Sequence, residues 1–482
     1  MFALQNFING KLRDAESGEW LDNIEPATGK VYSRIPRSGT EDVALAVDAA
    51  KRAYPAWANT SIEERSACLL RLASAVAEHA DEWAEAEARD NGKPVALAKE
   101  VDMMRSERNL AFFATAIQHF ASEAHIPSGP THINYTHRKP IGVVGCISPW
   151  NLPLYLFTWK VAPALAAGNC VVTKPSEITP MTAYLLSTCI EAAGFPPGVF
   201  NVVHGLGPEA GEAIVTHPDI KALSFTGGTA TGAHIQRATA GTFKKLSLEL
   251  GGKNAAIVFA DADLKEAVRT TVRSSFANQG QICLCSSRIL IERSVYDEFR
   301  NQLVEKARRM TPGDPLANGT KMGAVVSKAH RDKILMAIDR AVADGGRILA
   351  GGAAAPAPND RCANGYFVQP TVIEGVPVHC NLNQQEVFGP VISLMPFDTE
   401  EEALALANST EYGLSATLWT QDLKRAHRVS AKLETGIVWV NCWLVRDLRT
   451  PFGGVKSSGV GREGGFEALR FFTEPQNVCI QL

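Results

Sequence analysis

A chain of 482 residues is too long for one ordinary hydrophobic core, so two or three domains are expected. With 45% hydrophobic and 21% charged residues the composition is globular, and a net charge of −3 gives nucleic acid or an anionic membrane no electrostatic hold. Ten cysteines are too sparse for a disulfide scaffold and fit a reducing cytoplasm, and no apolar run is long enough to span a bilayer.

The first residues, MFALQNFINGKL, lack the basic start and apolar core of a signal peptide, and NFING marks a turn instead. A second turn signal at Glu25–Lys30 (EPATGK) makes the first sixty or so residues read as one or two hairpins. A long helix is expected next. Ser61 and Glu64 form a capping box, Leu69, Leu72, Val76, Ala80 and Trp83 recur at spacings of three and four, and Gly92 and Pro94 end the run. Residues Val95 to Ser122 read as another helix, carrying Arg105 and Arg108, and His125 to Lys139 as an extended polar excursion.

From Ile141 short β-branched runs alternate with helical stretches: IGVVGCI, CVVTK, VFNVV, ALSFTG and KLSLEL. That is a βαβ series, which implies a parallel sheet with helices on both faces. The alternation restarts at Asn254 with AAIVF, RILIE, VISLMPF, SATLW and GIVWV, so a second α/β unit is expected over about Gly251 to Gly454. The tail from Phe466 alternates weakly and reads as an extended arm. The expected division is therefore 1–122 with 141–250, then 251–454, with 123–140 and 466–482 as an arm.

Two stretches concentrate the chemistry. In SSFANQGQICLCSSR, Cys283 follows Gly and Gln and precedes hydroxyls and Arg288, and a thiol becomes a covalent nucleophile once ionised. In LSLELGGKN, Glu249 is the one carboxylate of an apolar run, where its pKa rises towards that of a general base. Together they suggest covalent attack on a carbonyl followed by release with activated water. A buried inert thiol is the alternative for any single cysteine. Cys283 and Cys285 form C-x-C without further ligand spacing, so no metal is expected. GLGPEAG (Gly205–Gly211) and FTGGTATG (Phe225–Gly232) are strand–glycine–helix junctions suited to phosphate, although the first lacks the usual dinucleotide spacing. In KPSE, Lys174 and Glu177 sit at a strand's carboxyl end, either as ribose ligands or as a solvated pair. Asn151 in PWNLPL is either an amide donor to an oxyanion or a turn former.

PWNLPL, KPSE, FTGGTATG, LELGGKN, FANQGQICLCSSR, EVFGP (Glu386–Pro390) and PFGGVKSSG (Pro451–Gly459), in this order and spacing, resemble the NAD(P)-dependent aldehyde dehydrogenases over nearly the whole chain. The resemblance implies an aldehyde dehydrogenase fold: a Rossmann-like NAD-binding domain, an α/β catalytic domain and a small β oligomerisation arm. It implies Cys283 as nucleophile, Asn151 with the Cys283 backbone N–H as oxyanion hole, and Glu249 as the base that activates water. It also implies Lys174 and Glu177 at the adenosine ribose, Gly207, Gly227 and Gly228 along the phosphates, and Glu386 at the nicotinamide ribose. Trp150 and Phe388 flank that end. Many members carry Ser where this chain has Gly228, so that side-chain contact is absent here. A carboxylate at Glu177 repels a 2′-phosphate and favours NAD over NADP. The resemblance also implies that the arm builds a homo-oligomer, dimer or tetramer, and the sparse cysteines place it in the cytoplasm.

VNCWLVRDLRTPFGG (Val440–Gly454) resembles, within that family, the branch acting on 2-aminomuconic and 2-hydroxymuconic semialdehydes. A substrate with a carboxylate at its far end needs a cationic anchor, and Arg binds carboxylates bidentately. Arg446 and Arg105 are the candidates; Arg449 and Arg108 read as surface or structural charges.

Overall fold

The computed structural model describes residues 1–129 and 131–482. Asn6–Ile8 pairs antiparallel with Lys11–Arg13 across Asn9 and Gly10, both at positive φ (54° and 76°), the geometry of a two-residue hairpin turn. Trp20–Glu25 pairs with Lys30–Pro36 across the second turn signal. The hairpin reading fails after that point. Thr40–Ala58 is a 19-residue helix, α1, whose buried stripe (Val43, Ala46, Val47, Ala50, Trp57) is mostly alanine and valine and so weakly marked in sequence.

The single long helix expected from Ser61 is two. α2 (Ile62–Glu78) starts on the Ser61–Glu64 capping box, the backbone leaves helical geometry at His79, and α3 (Ala80–Asn91) follows to Gly92, left-handed at φ 86°. From Val95 to His119 the helical turns are continuous, but Ala98–Met103 form a wide π stretch before α4 (Met104–Ala116). Asp102 in that stretch meets Lys93 at 2.7 Å, and Lys93 also lies 3.4 Å from Glu87, with all three side chains fully buried.

Five parallel strands centre the first large sheet: β1 (Val143–Ile147), β2 (Cys170–Lys174), β3 (Phe200–Val202), β4 (Ile220–Thr226) and β5 (Lys245–Glu249), ordered β5-β4-β1-β2-β3. The order reverses at β1, between β2 and β4, and open α/β sheets bind ligands outside the carboxyl ends at such a point. The N-terminal hairpin extends the β3 edge, and Gly459–Val460 pairs antiparallel with β5. α5 (Pro153–Ala166), buried at every residue, leads from β1 to β2.

Six parallel strands form the second sheet: β6 (Asn254–Val258), β7 (Ser286–Glu292), β8 (Thr371–Glu374), β9 (Val391–Phe397), β10 (Ser415–Trp419) and β11 (Ile437–Val440), ordered β8-β9-β7-β6-β10-β11. Arg347–Ala350 joins β8 antiparallel. The chain leaves β5 at Glu249 and begins β6 at Asn254, so the carboxyl edge of one sheet and the amino edge of the other meet across residues 250–253.

The arm pairs His132–Pro140 with Thr473–Gln481 along their whole lengths, and Ala124–His125 adds a third strand. Its second strand starts later than the sequence suggested. Gly465–Phe471 is a helix that buries Ala468 and Leu469, set up by Gly464 and Gly465 at positive φ.

Candidate active site

After α6 (Thr229–Thr239) and β5, the helix α7 (Leu264–Phe276) leads into the cysteine loop. Asn278, Gln279 and Gly280 are left-handed in succession (φ 50°, 58° and 71°). Cys283 follows, half-buried, with its loop held at three carbonyls by two side chains. Asn254 Nδ2 donates to the carbonyls of Cys283 (2.7 Å) and Cys285 (2.9 Å), and Trp443 Nε1 donates to that of Leu284 (3.0 Å). Burial, then the carboxylates of Glu386 and Glu249, push the Cys283 thiol well above the ordinary cysteine range, and Arg446 acts in the opposite sense. A thiol so placed acts as a nucleophile only once it has lost its proton. Cys285 is buried, its thiol pushed up to about 12.

Glu249 ends β5 with 4% exposure, and among the described residues neither carboxylate oxygen has a hydrogen-bond partner. Burial first, then Glu463, raise its pKa well above the usual carboxyl value, while Lys160, Arg462 and Arg446 oppose the rise. Lys160 Nζ in turn bonds Glu463 (2.7 Å) and Ser224 (3.1 Å). A Cβ at Gly453 would stand 2.8 Å from Glu249 Oε1, so the PFGG loop passes the carboxyl only because that position is glycine.

Asn151 lies just past β1, 3% exposed, and its Nδ2 donates to the Gln281 carbonyl at 3.0 Å. Its own carbonyl accepts from Asn278 Nδ2 at 2.9 Å, and Asn91 Nδ2 donates to the Trp150 carbonyl at 2.8 Å. The PWNLPL and cysteine loops are thus directly joined.

Along the first sheet, Lys174 at the end of β2 is buried and lies 3.0 Å from Glu177, so it is not the solvated charge its sequence setting allowed. Gly207 opens the turn that brings Gly211 over the Lys174 stem, where a Cβ would come within 3.6 Å. Gly227 donates its N–H to the Glu249 carbonyl (3.0 Å), and a Cβ there would strike the Phe225 ring at 2.4 Å. Gly228 caps α6, and a Cβ on it would meet nothing within 4 Å, leaving that helix N-terminus open. Glu386 Oε1 accepts from Gly252 N–H at 2.9 Å, and burial raises the carboxyl to about 7 against that bond and Lys253. Phe388, at φ 60°, meets the Trp150 ring edge-on at 5.2 Å, while its carbonyl accepts from His330 Nε2 at 2.7 Å.

Arg446 follows β11. It donates from Nη1 to the Tyr155 hydroxyl, and its guanidinium lies 5.0 Å from the centre of the Trp159 ring and 4.1 Å from that of Phe452. Arg105, in the first turn of α4, has its pKa lowered by desolvation, raised by Tyr155 and lowered again by Arg446 and Arg108, so both arginines share one field. Neither pairs with a carboxylate among the described residues. Arg449 does, with Asp447 at 2.6 Å, and Arg108 is exposed without an ion pair among those residues. Sequence reasoning missed Tyr155, Trp159, Phe452, Lys160, Glu463, His330 and Asn278. Tyr155 and Trp159, four apart on a helix, carried a readable signal. Glu463 carried none, being 303 residues from its partner Lys160.

A thiol loop and an unpaired buried carboxyl, placed where the carboxyl edge of one parallel sheet meets the amino edge of the other, are the groups that covalent attack on a carbonyl and release by water require. The sequence model of the aldehyde dehydrogenase family matches residues 12–478, and the chain belongs to that family. It is 50% identical to a 2-aminomuconic semialdehyde dehydrogenase of Danio rerio, over 99% of this chain and 98% of the relative. It is 47% identical to a 2-hydroxymuconic semialdehyde dehydrogenase of Pseudomonas sp. (strain CF600), over the full length of both. An aldehyde dehydrogenase from Bacillus cereus, solved as its NAD+ complex, superposes with a TM-score of 0.96 at 38% identity, over 100% of this chain and 97% of that one.

Proposed function

We propose that this enzyme oxidises 2-aminomuconate 6-semialdehyde to 2-aminomuconate with NAD. The observation that carries the substrate is the pair Arg105 and Arg446, neither with a carboxylate partner among the described residues, one of them held between aromatic rings at the substrate loop. A guanidinium fixed in that way is a bidentate anchor for the carboxylate at the far end of the semialdehyde. The near-equal identity to the 2-hydroxymuconic relative supports 2-hydroxymuconic semialdehyde as the alternative substrate, which differs only in the group beside that carboxylate.

The residues fit NAD. The open amide end at Gly228 and the turn at Gly207 suit the diphosphate, Lys174 with Glu177 and Glu386 suit the two riboses, and Trp150 and Phe388 close the nicotinamide end. NAD, when bound, supplies the hydride acceptor. Cys283 gives its proton to solvent water and forms a carbon–sulfur bond to the aldehyde carbon, giving a thiohemiacetal. The oxyanion is met by the Asn151 amide and the Cys283 backbone N–H. Loss of hydride leaves a thioester on Cys283. Glu249 takes a proton from water, the resulting hydroxide adds to the thioester, and the thiolate departs as the carboxylate is released. Glu177 disfavours a 2′-phosphate and hence NADP. The exposed strand Thr473–Gln481 supports a homo-oligomer, dimer or tetramer, and ten unpaired cysteines support a cytoplasmic setting.

The test is NAD reduction by purified enzyme with 2-hydroxymuconate semialdehyde, generated in situ, against an uncharged aldehyde of similar length. Preference for the semialdehyde is expected, and the amino analogue then ranks the two branches. Preference for the plain aldehyde overturns the carboxylate anchor.

A further inference from the structure

Three residues in succession adopt the left-handed conformation just before the nucleophile, an arrangement that is costly wherever a Cβ is present. Gly280 has no choice, because a Cβ there would lie 2.2 Å from the Gly389 carbonyl. Gln279 is fully buried and anchors the turn: its Nε2 donates to the Ala324 carbonyl (2.8 Å) and its Oε1 accepts from Gly323 N–H (3.2 Å). Gln281 does the same through Val326 N–H (3.0 Å) and the Asn278 carbonyl (3.2 Å). With Gln279 and Gln281 fixed, glycine at 278 would satisfy the backbone at lower conformational cost.

Asn278 is there instead, and its amide is spent on two carbonyls, Asn151 (2.9 Å) and Gln281 (3.2 Å). The Gln281 oxygen is the same one that accepts from Asn151 Nδ2 at 3.0 Å. The contacts therefore close a ring. One amide holds the Asn151 backbone and also the acceptor that fixes the tip of the Asn151 side chain. An amide nitrogen carries two hydrogens, so this geometry uses one Asn151 N–H as a tether and directs the other. We propose that Asn278 is a positioning residue for oxyanion stabilisation, acting through Asn151 by locking the direction of its free amide N–H relative to Cys283. The proposal rests on the reading of Cys283 as nucleophile and Asn151 as oxyanion donor.

Asn278→Gly keeps the left-handed turn and removes the amide. It is expected to lower kcat by about tenfold or more, with NAD affinity and the rate of Cys283 alkylation by iodoacetamide held within about twofold. Asn278→Asp keeps the shape and replaces donors by oxygens facing two carbonyls, so its loss should be at least as large. It is read in the same way if the glycine variant does not fold. The decisive arm is the cycle with Asn151→Ala: if Asn278 acts through Asn151, the double variant is no slower than Asn151→Ala alone. Multiplying losses, or an Asn278→Gly enzyme with wild-type kcat, overturn the proposal. Cys283→Ser separates the two layers. If it retains turnover, the reading of the nucleophile fails; if it is dead while the Asn278 variants turn over normally, only the positioning role fails.

Discussion

The two strand edges that meet over Cys283 are built in opposite ways. On the first sheet the site is local: Ile147, Lys174, Thr226 and Glu249 each end a strand, and the next few residues supply Asn151, Glu177, Gly228 and Gly252. On the second sheet the strands begin at the site, and their positions depend on partners distant in the chain, such as Asn254 on Cys283, Trp443 on Leu284 and Glu386 on Gly252. A carboxyl-edge site is a motif, whereas an amino-edge site is a network. On the proposed roles, the first sheet supplies most of the cofactor contacts and the second the nucleophile, with Asn151 and Glu386 crossing that division and Glu249 at the junction.

The largest expected effect tests that separation. Cys283→Ser should lower turnover by roughly a thousandfold or more, with NAD binding, followed by fluorescence titration, unchanged. A parallel loss of NAD affinity would show that the two edges do not act independently.

Glu249→Gln comes next, with a loss of about a hundredfold or more in steady-state turnover. A stoichiometric burst of NADH should persist if, as proposed, the base serves hydrolysis of the thioester and not its formation. Its raised pKa also fixes a sign. A carboxyl that holds its proton more tightly folded than unfolded adds stability fully below its unfolded value of about 4.3, and loses it as pH rises through the folded value. The Gln variant should therefore gain thermal stability over the wild type as pH increases, measured as Tm across a pH series, and lose the rising limb of kcat. An equal Tm difference at all pH values would mean that Glu249 ionises in the fold as it does in water.

The same contrast explains what could be read from the chain. Strands with β-branched runs, such as Val391–Phe397 and Ser415–Trp419, were legible to the residue, and the glycine junctions pointed to the crevice. α1 was not legible, because an Ala-rich stripe buries well without a strong apolar signal, and neither was the break at His79 between α2 and α3. Glu249 and Cys283 stood out as chemical types in unusual surroundings. Lys160 with Glu463, and Asn278 with Asn151, are ordinary residues whose meaning lies in contacts made by folding.

Arg446→Ala probes the substrate end, which lies across both sheets. Losing a partly buried bidentate partner costs on the order of 2–5 kcal/mol, so kcat/KM for the semialdehyde should fall well over tenfold. Oxidation of an uncharged aldehyde should barely change. Equal losses on both substrates would remove the anchor role and leave Arg446 as a structural support for the loop.

Tyr155→Phe gives the smallest effect and the finest resolution. Tyr155 belongs to α5, on the first sheet's side, while Arg446 follows β11 of the second, so their hydrogen bond, beside the Trp159 ring of the same helix, aims the anchor from across the crevice. The rings of Trp159 and Phe452 keep the guanidinium in place without the hydroxyl. Removing one hydrogen bond to a charged group costs about 1.5–3 kcal/mol at most, and part is recovered when the substrate carboxylate engages the freed N–H. The expected outcome is a rise of about three- to tenfold in KM for the semialdehyde, with kcat and the uncharged aldehyde unaffected. A fall in kcat instead would mean that Tyr155 aligns the reacting carbonyl, and that the substrate reaches further along α5 than the arginine pair alone implies.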